Sequence, residues 1–510
     1  MRPMGFHLDR LCRIISLGFG VVLWLTFLAV SSPGQTINAE IRIVPQAPAR
    51  VLIEGSGHSS TIWSFRDTYA GVLDLGARIG ELKLFDATGA EIQTRRIAPG
   101  HFEASKPASR FHYEVNLSPP VRAADSALVS WLTEDRGLLL ISDLLPLAET
   151  DRSPGKQTVS RATVRISLPD GWSVHSSEPK STAGEFAVAD VTRAVFVLGR
   201  QLRASRTTIS RTSLNLIADG QWAFTDSDAL EMAGKVLEAH TEVFKGMPAN
   251  HVTLILLPLS QTAAADRWSA ETRGSTVTLL MGKLPSKTAA LAQLSVPLTH
   301  ELLHLWVPNG LALEGDYDWF YEGFTVYQAA RTSVRLGLLT FQEFLNAVAR
   351  AFDAYSVGLD RDRWSLIEAS QRRFTAGGSA VYQKSMLVAL VFDLKLRSQS
   401  RGKRSLDGVY REVFSRYRVV DHSSTATDGN QAVLVAIDGT QGMEGFANSY
   451  IKRPSAIDLQ TELAPFGLQV ERLGLRTRIN VSETLTRQQR DLLRDLGYND
   501  SVRSPRPKNR

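Results

Sequence analysis

The sequence predicts an α+β chain of several domains: a β-sandwich first, a mixed α+β lobe next and a helical region last. Three observations predict this order. At 510 residues the chain exceeds what one ordinary core organises, so roughly two to four domains are expected. From about Ile41 to Leu214, short alternating apolar segments are separated by turn residues, the pattern of a sandwich. From Thr225 onward the apolar spacing lengthens to the helical period. A hydrophobic fraction of 43% and a charged fraction of 22% are those of a globular protein.

The N-terminus reads as a targeting segment. Arg2, Arg10 and Arg13 stand against a single Asp9, residues 14–30 form an uncharged apolar run, and Ser31-Ser32-Pro33-Gly34 breaks it. That is the layout of a secretory signal over residues 1–31, with Ala29-Val30-Ser31 as the cleavage site. An uncleaved anchor over residues 14–30 is the alternative, because the run approaches the lower length of a spanning helix. Either way the protein is expected to be exported, periplasmic or secreted, with membrane association only through this segment. The single cysteine, Cys12, lies inside it. Once the segment is removed, disulfides, thiolate ligands and cysteine nucleophiles are excluded, and core packing must hold the fold.

Strands are expected over residues 49–53, 81–85, 111–117, 138–142, 162–168 and 194–197. Gly55-Ser56-Gly57, residues 86–89 and Pro169-Asp170-Gly171 supply turns between them. His58, His101, His112 and His175 fall here without ligand spacing. Next, Asp226 or Ser227 can cap a helix reaching about Phe244, with Leu230, Val236, Leu237 and Val243 as its apolar stripe. Gly246-Met247-Pro248 ends it. Residues 251–258 and 275–281 read as strands, and a further helix follows with Pro297 near its first turn. After Tyr327 helices are expected over 341–355, 379–396, 405–417, about 443–451 and 486–496. In the second, Leu387, Leu390, Val391 and Leu394 recur at i, i+3, i+4 and i+7. The net charge of +6 comes from scattered basic residues and a solvated tail, 501–510, so no nucleic-acid partner is expected.

The chemistry concentrates in residues 299–327. The segment H-E-L-L-H places His300 and His304 at i and i+4, so both imidazoles leave one helix face. That suits two ligands of a tetrahedral zinc, and Glu301 between them can serve as general base. Glu322, in W-F-Y-E-G-F-T-V-Y, would complete a His2Glu set for one Zn2+ per chain. Leu302, Leu303, Leu305 and Trp306 make the helix apolar enough to be buried, and buried His and Glu need partners that a metal supplies. The competing view is a helix that merely carries these side chains. The first reading is a zinc peptidase with a peptide substrate.

The paired motifs resemble the gluzincin metallopeptidases, which share a thermolysin-like catalytic domain, and within them the glycyl aminopeptidase family. Further segments follow in that family's order: S-L-I-E-A-S at 365–370, Tyr382-Gln383-Lys384-Ser385, residues 446–451, and an L-x-x-x-G-L ending at 463–468. S-L-P-D-G-W-S-V at 167–174 is similar locally. The resemblance implies a β-sandwich at 38–215, a thermolysin-like lobe at 220–340, a helical lobe at 341–470 that completes the active site, and an extension at 471–510. It implies His300, His304 and Glu322 as zinc ligands and Glu301 as general base. Tyr382 would be the oxyanion donor, and Glu271 would bind a substrate's α-amino group. Three departures stand out. Ser385 replaces a glycine, Trp268 and Ser269 replace glycines ahead of Glu271, and the spacing from His304 to Glu322 is shorter than that family's. The usual C-terminal PDZ domain has no room in the stretch after Leu468. An endopeptidase on the same site and a non-catalytic metal-containing binding or scaffold protein remain the alternatives.

Overall fold

The structure, a computed structural model, describes residues 36–147, 160–260, 262–359, 361–419 and 426–499. The expected signal or anchor, Cys12 and the basic tail at 501–510 lie outside the described residues. Among the described residues no helix is long and apolar enough to cross a membrane.

Three sheets and a helical layer stack in succession. The first sheet has eight strands, centred on Thr36–Val44, Arg50–Ser64 and His101–Asn116. Ile37, Ala39, Ile41 and Ile43 alternate inward along the first of these, as do Phe111, Tyr113 and Val115 along the third. Their partner is a four-stranded sheet that includes Arg136–Leu140 and Val195–Gly199. Leu132, Leu139, Phe196 and Leu198 share one core with the eight-stranded sheet. The expected sandwich is therefore present as two facing sheets.

Two expected strands, 49–53 and 111–117, are pieces of much longer ones. Gly55-Ser56-Gly57 is not a turn: the chain runs through it extended, and the pairing register shifts between Ser56 and Ile62. Gly55 is needed there, since a Cβ would lie 2.2 Å from the Asn38 carbonyl and 2.7 Å from the Phe111 ring.

The other face of the four-stranded sheet is buried too. Trp131, Leu138, Leu140, Val195 and Val197 pack against Ile217, Ile255, Leu257 and Leu280 of a five-stranded sheet. Being covered on both faces explains the unbroken apolar runs Leu138-Leu139-Leu140 and Val195–Gly199. The five-stranded sheet runs Arg203–Ile209, Thr212–Ala218, His251–Pro258, Thr276–Met281, Trp268–Arg273. Its first two strands fall in the region read as sandwich, so the expected boundary at 215 cuts through the strand Thr212–Ala218. Thr212–Ala218 pairs in parallel with His251–Pro258, which pulls it into this sheet.

The alternate residues of that sheet, among them Leu214, Leu216, Leu254, Leu256, Val277 and Leu279, face the helices in a single large core. Helix Asp226–Phe244 covers them. Its cap is Thr225, one residue before the expected position, closing a capping box with Asp228. Helix Lys287–Leu303, capped by Ser286, carries the H-E-L-L-H segment. It starts well before the expected point, so Pro297 is interior rather than in the first turn. Helices Thr325–Arg335, Phe341–Ser356, Ser385–Ser400 and Asp407–Tyr417 complete the layer. A hairpin, Leu468–Leu473 with Arg476–Val481, was not expected from the sequence; it packs against Phe341–Ser356.

Candidate active site

Helix Lys287–Leu303 ends where the chemistry begins. His300 lies in its last turn and His304 is its C-cap, with the His304 N–H donating to the Glu301 carbonyl at 3.1 Å. The imidazole Nδ1 of His304 lies 2.9 Å from the Val307 carbonyl. Only a protonated Nδ1 can donate there, so in the neutral ring it is Nε2 that carries the lone pair. The two Nε2 atoms are 3.0 Å apart.

Glu322 comes from a different element, a π-helical turn spanning Trp319–Phe324. The turn is pinned by aromatic burial and two hydrogen bonds. Trp319, Phe320 and Phe324 are fully buried; the Trp319 backbone N–H donates to Ser370 Oγ at 2.9 Å and its indole to Asn430 Oδ1 at 2.8 Å. This puts Glu322 Oε2 3.3 Å from His300 Nε2 and 3.6 Å from His304 Nε2. Donors held at 2.0–2.2 Å around one tetrahedral ion stand about 3.3–3.6 Å apart. Both histidine–carboxylate separations fall in that range, and the 3.0 Å between the imidazoles needs only a few tenths of an ångström more, so the three donors fit a zinc ion; they are the one such group among the described residues. Burial opposes charge on both groups. Even so, Glu322 and Glu301 push His304 up to about 9, and Arg373 and His304 hold Glu322 well below the usual carboxylate range.

Glu301 is buried, and its Oε2 lies 2.7 Å from the Thr272 hydroxyl, which is also 2.9 Å from the Glu301 carbonyl. Thr272 belongs to the edge strand Trp268–Arg273, and Asn309 Nδ2 donates to its carbonyl at 3.2 Å. Edge strand, helix end and following loop are thus tied together around the carboxylate.

Tyr382 lies on a second π-helical turn, Ala380–Lys384. Its phenol oxygen accepts from the Arg373 guanidinium. Burial pushes the phenol up, and Glu322 pushes it further, so it keeps its proton. The turns bearing Glu322 and Tyr382 touch directly: a Cβ on Gly323 would lie 2.2 Å from Ser385 Cβ and 2.3 Å from the Val381 carbonyl.

Glu271 is within the edge strand Trp268–Arg273, paired opposite Thr278, and half-buried. Its Oε1 accepts from the Tyr69 hydroxyl at 2.5 Å and lies 3.8 Å from Arg273 Nε. The Tyr69 ring sits between two guanidiniums, Arg273 at 4.2 Å and Arg66 at 4.8 Å. Tyr69 reaches the cleft from the front sandwich on a tight turn, where the Tyr69 and Val72 amides each donate to the other's carbonyl. Ala70 and Gly71 both have positive φ there, 49° and 81°. Burial raises the Glu271 pKa; the Arg273 charge and the Tyr69 hydrogen bond oppose it, and the charges of Glu301 and Glu322 add to it.

Five sequence-expected residues thus come together, the donors His300, His304 and Glu322 with Glu301 and Tyr382, while Glu271 lies in a cluster of its own. The sequence reading did not identify Thr272, Arg373 or Tyr69. Thr272 adjoins Glu271 and could have been found from strand alternation. Arg373 lies in an unremarkable Arg372-Arg373 pair, and Tyr69 is 202 positions from its partner, so neither carried a signal.

No family profile matches the sequence, and no curated protein does. Solved structures match its fold. The chain is similar to an aminopeptidase N family protein from Idiomarina loihiensis, 18% identical, over 85% of this chain and 79% of that one, with a TM-score of 0.71. It is also similar to an M1 zinc metallopeptidase from Deinococcus radiodurans, 13% identical over 83% and 94% of the two chains, TM-score 0.53. A variant of that protein bound to a Tyr-Ser-Ala substrate matches at 13% identity and the same TM-score. At these identities the likeness is one of fold: sheets in front and a helical C-terminal region behind.

Proposed function

We propose that this chain is a zinc-dependent metallopeptidase, of aminopeptidase type, that hydrolyses peptides. One observation carries the reading: His300, His304 and Glu322 converge at ligand separations with the Glu301 carboxylate beside them. These three residues would hold one Zn2+ per chain. Bound there, zinc supplies Lewis-acid chemistry, polarising a peptide carbonyl and making water acidic enough to attack near neutral pH.

The chain's own residues do the rest. Glu301 accepts the attacking water's proton and returns it to the leaving amine, its rotamer held by the Thr272 hydroxyl. Tyr382, protonated and aimed by Arg373, donates to the developing oxyanion. Glu271 accepts from a substrate's α-ammonium, with Tyr69 of the sandwich closing that end of the cleft. The resemblance at 365–370 and 382–385 to the glycyl aminopeptidase family supports the assignment of Tyr382. The fold likeness to aminopeptidase N-type structures supports the peptide substrate.

One observation favours an endopeptidase on the same site. Glu271 is already engaged by Tyr69 and Arg273, which reduces the charge it offers an ammonium. The experiment that decides is zinc analysis of the purified protein with hydrolysis of aminoacyl anilides and their N-acetylated forms. Zinc with cleavage of free substrates alone supports the aminopeptidase. Equal cleavage of both removes the role of Glu271, and zinc without hydrolysis leaves a non-catalytic binding protein. Export belongs to the same reading, on the strength of residues 1–31, and N-terminal sequencing of protein recovered outside the cytoplasm tests it.

A further inference from the structure

We propose that Arg373 is a positioning residue that locks the metal ligand Glu322 and the Tyr382 phenol into one arrangement; this rests on the zinc-peptidase reading. Arg373 opens a third π-helical turn, Arg373–Gly377, and its side chain is only 16% exposed. Its Nη1 donates to Asp318 Oδ1 at 2.9 Å and to the Tyr321 hydroxyl at 3.3 Å. Its Nη2 donates to Tyr382 and lies 2.8 Å from Glu322 Oε1. Each terminal nitrogen carries two hydrogens, so these four partners use all of them. All four terminal hydrogens are therefore committed within the protein, leaving only the buried Nε–H without a partner, which argues against a receptor for a substrate carboxylate.

Geometry gives the consequence. A guanidinium is a rigid planar fork, so the two hydrogens of Nη2 fix the angle between Glu322 and Tyr382. With Oε1 taken by Arg373, the Glu322 carboxylate turns Oε2 toward both imidazoles. With its oxygen already accepting from Arg373, the Tyr382 phenol keeps its own O–H free to point elsewhere. Asp318 and Glu322 stand four residues apart on one turn, and Arg373 bridges them, anchored at the Asp318 end. A lysine would keep the charge but bond as a point, without the fixed angle.

Arg373→Lys in the full-length protein tests this, alone and combined with Tyr382→Phe. Zinc affinity of the metal-free protein is read by competition with a chromogenic chelator, and kcat and KM on an aminoacyl anilide. The expected result is zinc binding weaker by about tenfold or more, with kcat falling while KM stays within about twofold. Tyr382→Phe should cost much less in the Arg373→Lys background than in the wild type. Unchanged zinc affinity, or costs that simply multiply, would overturn the proposal. If Arg373→Lys melts below the assay temperature, Asp318→Asn loosens the same guanidinium without touching Glu322 or Tyr382, and the same outcomes decide. A wild-type chain that binds no zinc would overturn the peptidase reading itself, whereas zinc-replete wild type with indifferent variants sinks only the role of Arg373.

Discussion

Two clusters meet at the edge strand Trp268–Arg273, through Thr272 and Glu271, and they are built in opposite ways. The donors His300, His304 and Glu322, with Glu301 and Tyr382, come from helices that share a single core. The Glu271 cluster joins an edge strand to a turn of the front sandwich, across a lobe boundary. The first is held by cooperative packing, with Arg373 bonded to both Glu322 and Tyr382 inside it. The second depends on how two lobes meet, through contacts such as Ser269 Oγ with Ala124 and Arg273 with Leu128. The groups proposed to break the bond thus sit within one core, and those proposed to choose the substrate sit where two lobes meet.

Perturbing each side sharpens the contrast. Glu301→Gln should have the largest effect, lowering kcat about ten-thousand-fold while zinc content is kept, as seen by elemental analysis beside steady-state kinetics. Wild-type turnover in that variant would sink the general-base role. Tyr382→Phe comes next, about a hundred-fold in kcat with KM little changed, the size expected for one oxyanion donor. The metal-side cluster also predicts a pH dependence. In the metal-free protein His304 holds a proton up to about 9, because the Glu322 and Glu301 charges outweigh burial. Zinc must displace that proton, so its apparent affinity should rise about tenfold per unit from pH 7 and flatten above the His304 value. A pH-independent affinity in chelator competition would contradict this. The smallest effect belongs to the joint. Tyr69→Phe frees the Glu271 oxygen and should lower KM for free aminoacyl substrates by about threefold, leaving kcat and zinc content unchanged. An equal fall for N-acetylated substrates would separate Tyr69 from recognition of the amino group.

The same contrast explains what the sequence disclosed. His300, Glu301 and His304 fall within five residues of one helix, so helical spacing alone brings them to one face. Glu322 was legible through its aromatic neighbours, the residues that bury its turn. The π-helical form of that turn was not legible, because tertiary packing rather than local propensity selects it. Arg373 acts through a direction that its guanidinium takes in space, and no spacing rule encodes that. Along the chain, His251–Pro258 was readable to its ends as a strand, and it is buried from Val252 on. The boundary near 215 was not, since both sheets meeting there use the same short apolar strands. Gly55-Ser56-Gly57 misled in the other direction: its glycines admit a close neighbour instead of reversing the chain.

The contact between Gly323 and Ser385 sets an asymmetric rule for sequence drift. Position 385, glycine in the motif this chain resembles, accepts a serine here because it faces a bare Cα and because the hydroxyl lies 3.1 Å from the Ala380 carbonyl. Position 323 has no such freedom, since even with glycine restored at 385 a methyl there would meet the Val381 carbonyl. The E-G dipeptide is then fixed by the thickness of the wall between ligand and phenol, and the Y-x-K-S departure is the side on which that wall tolerates change.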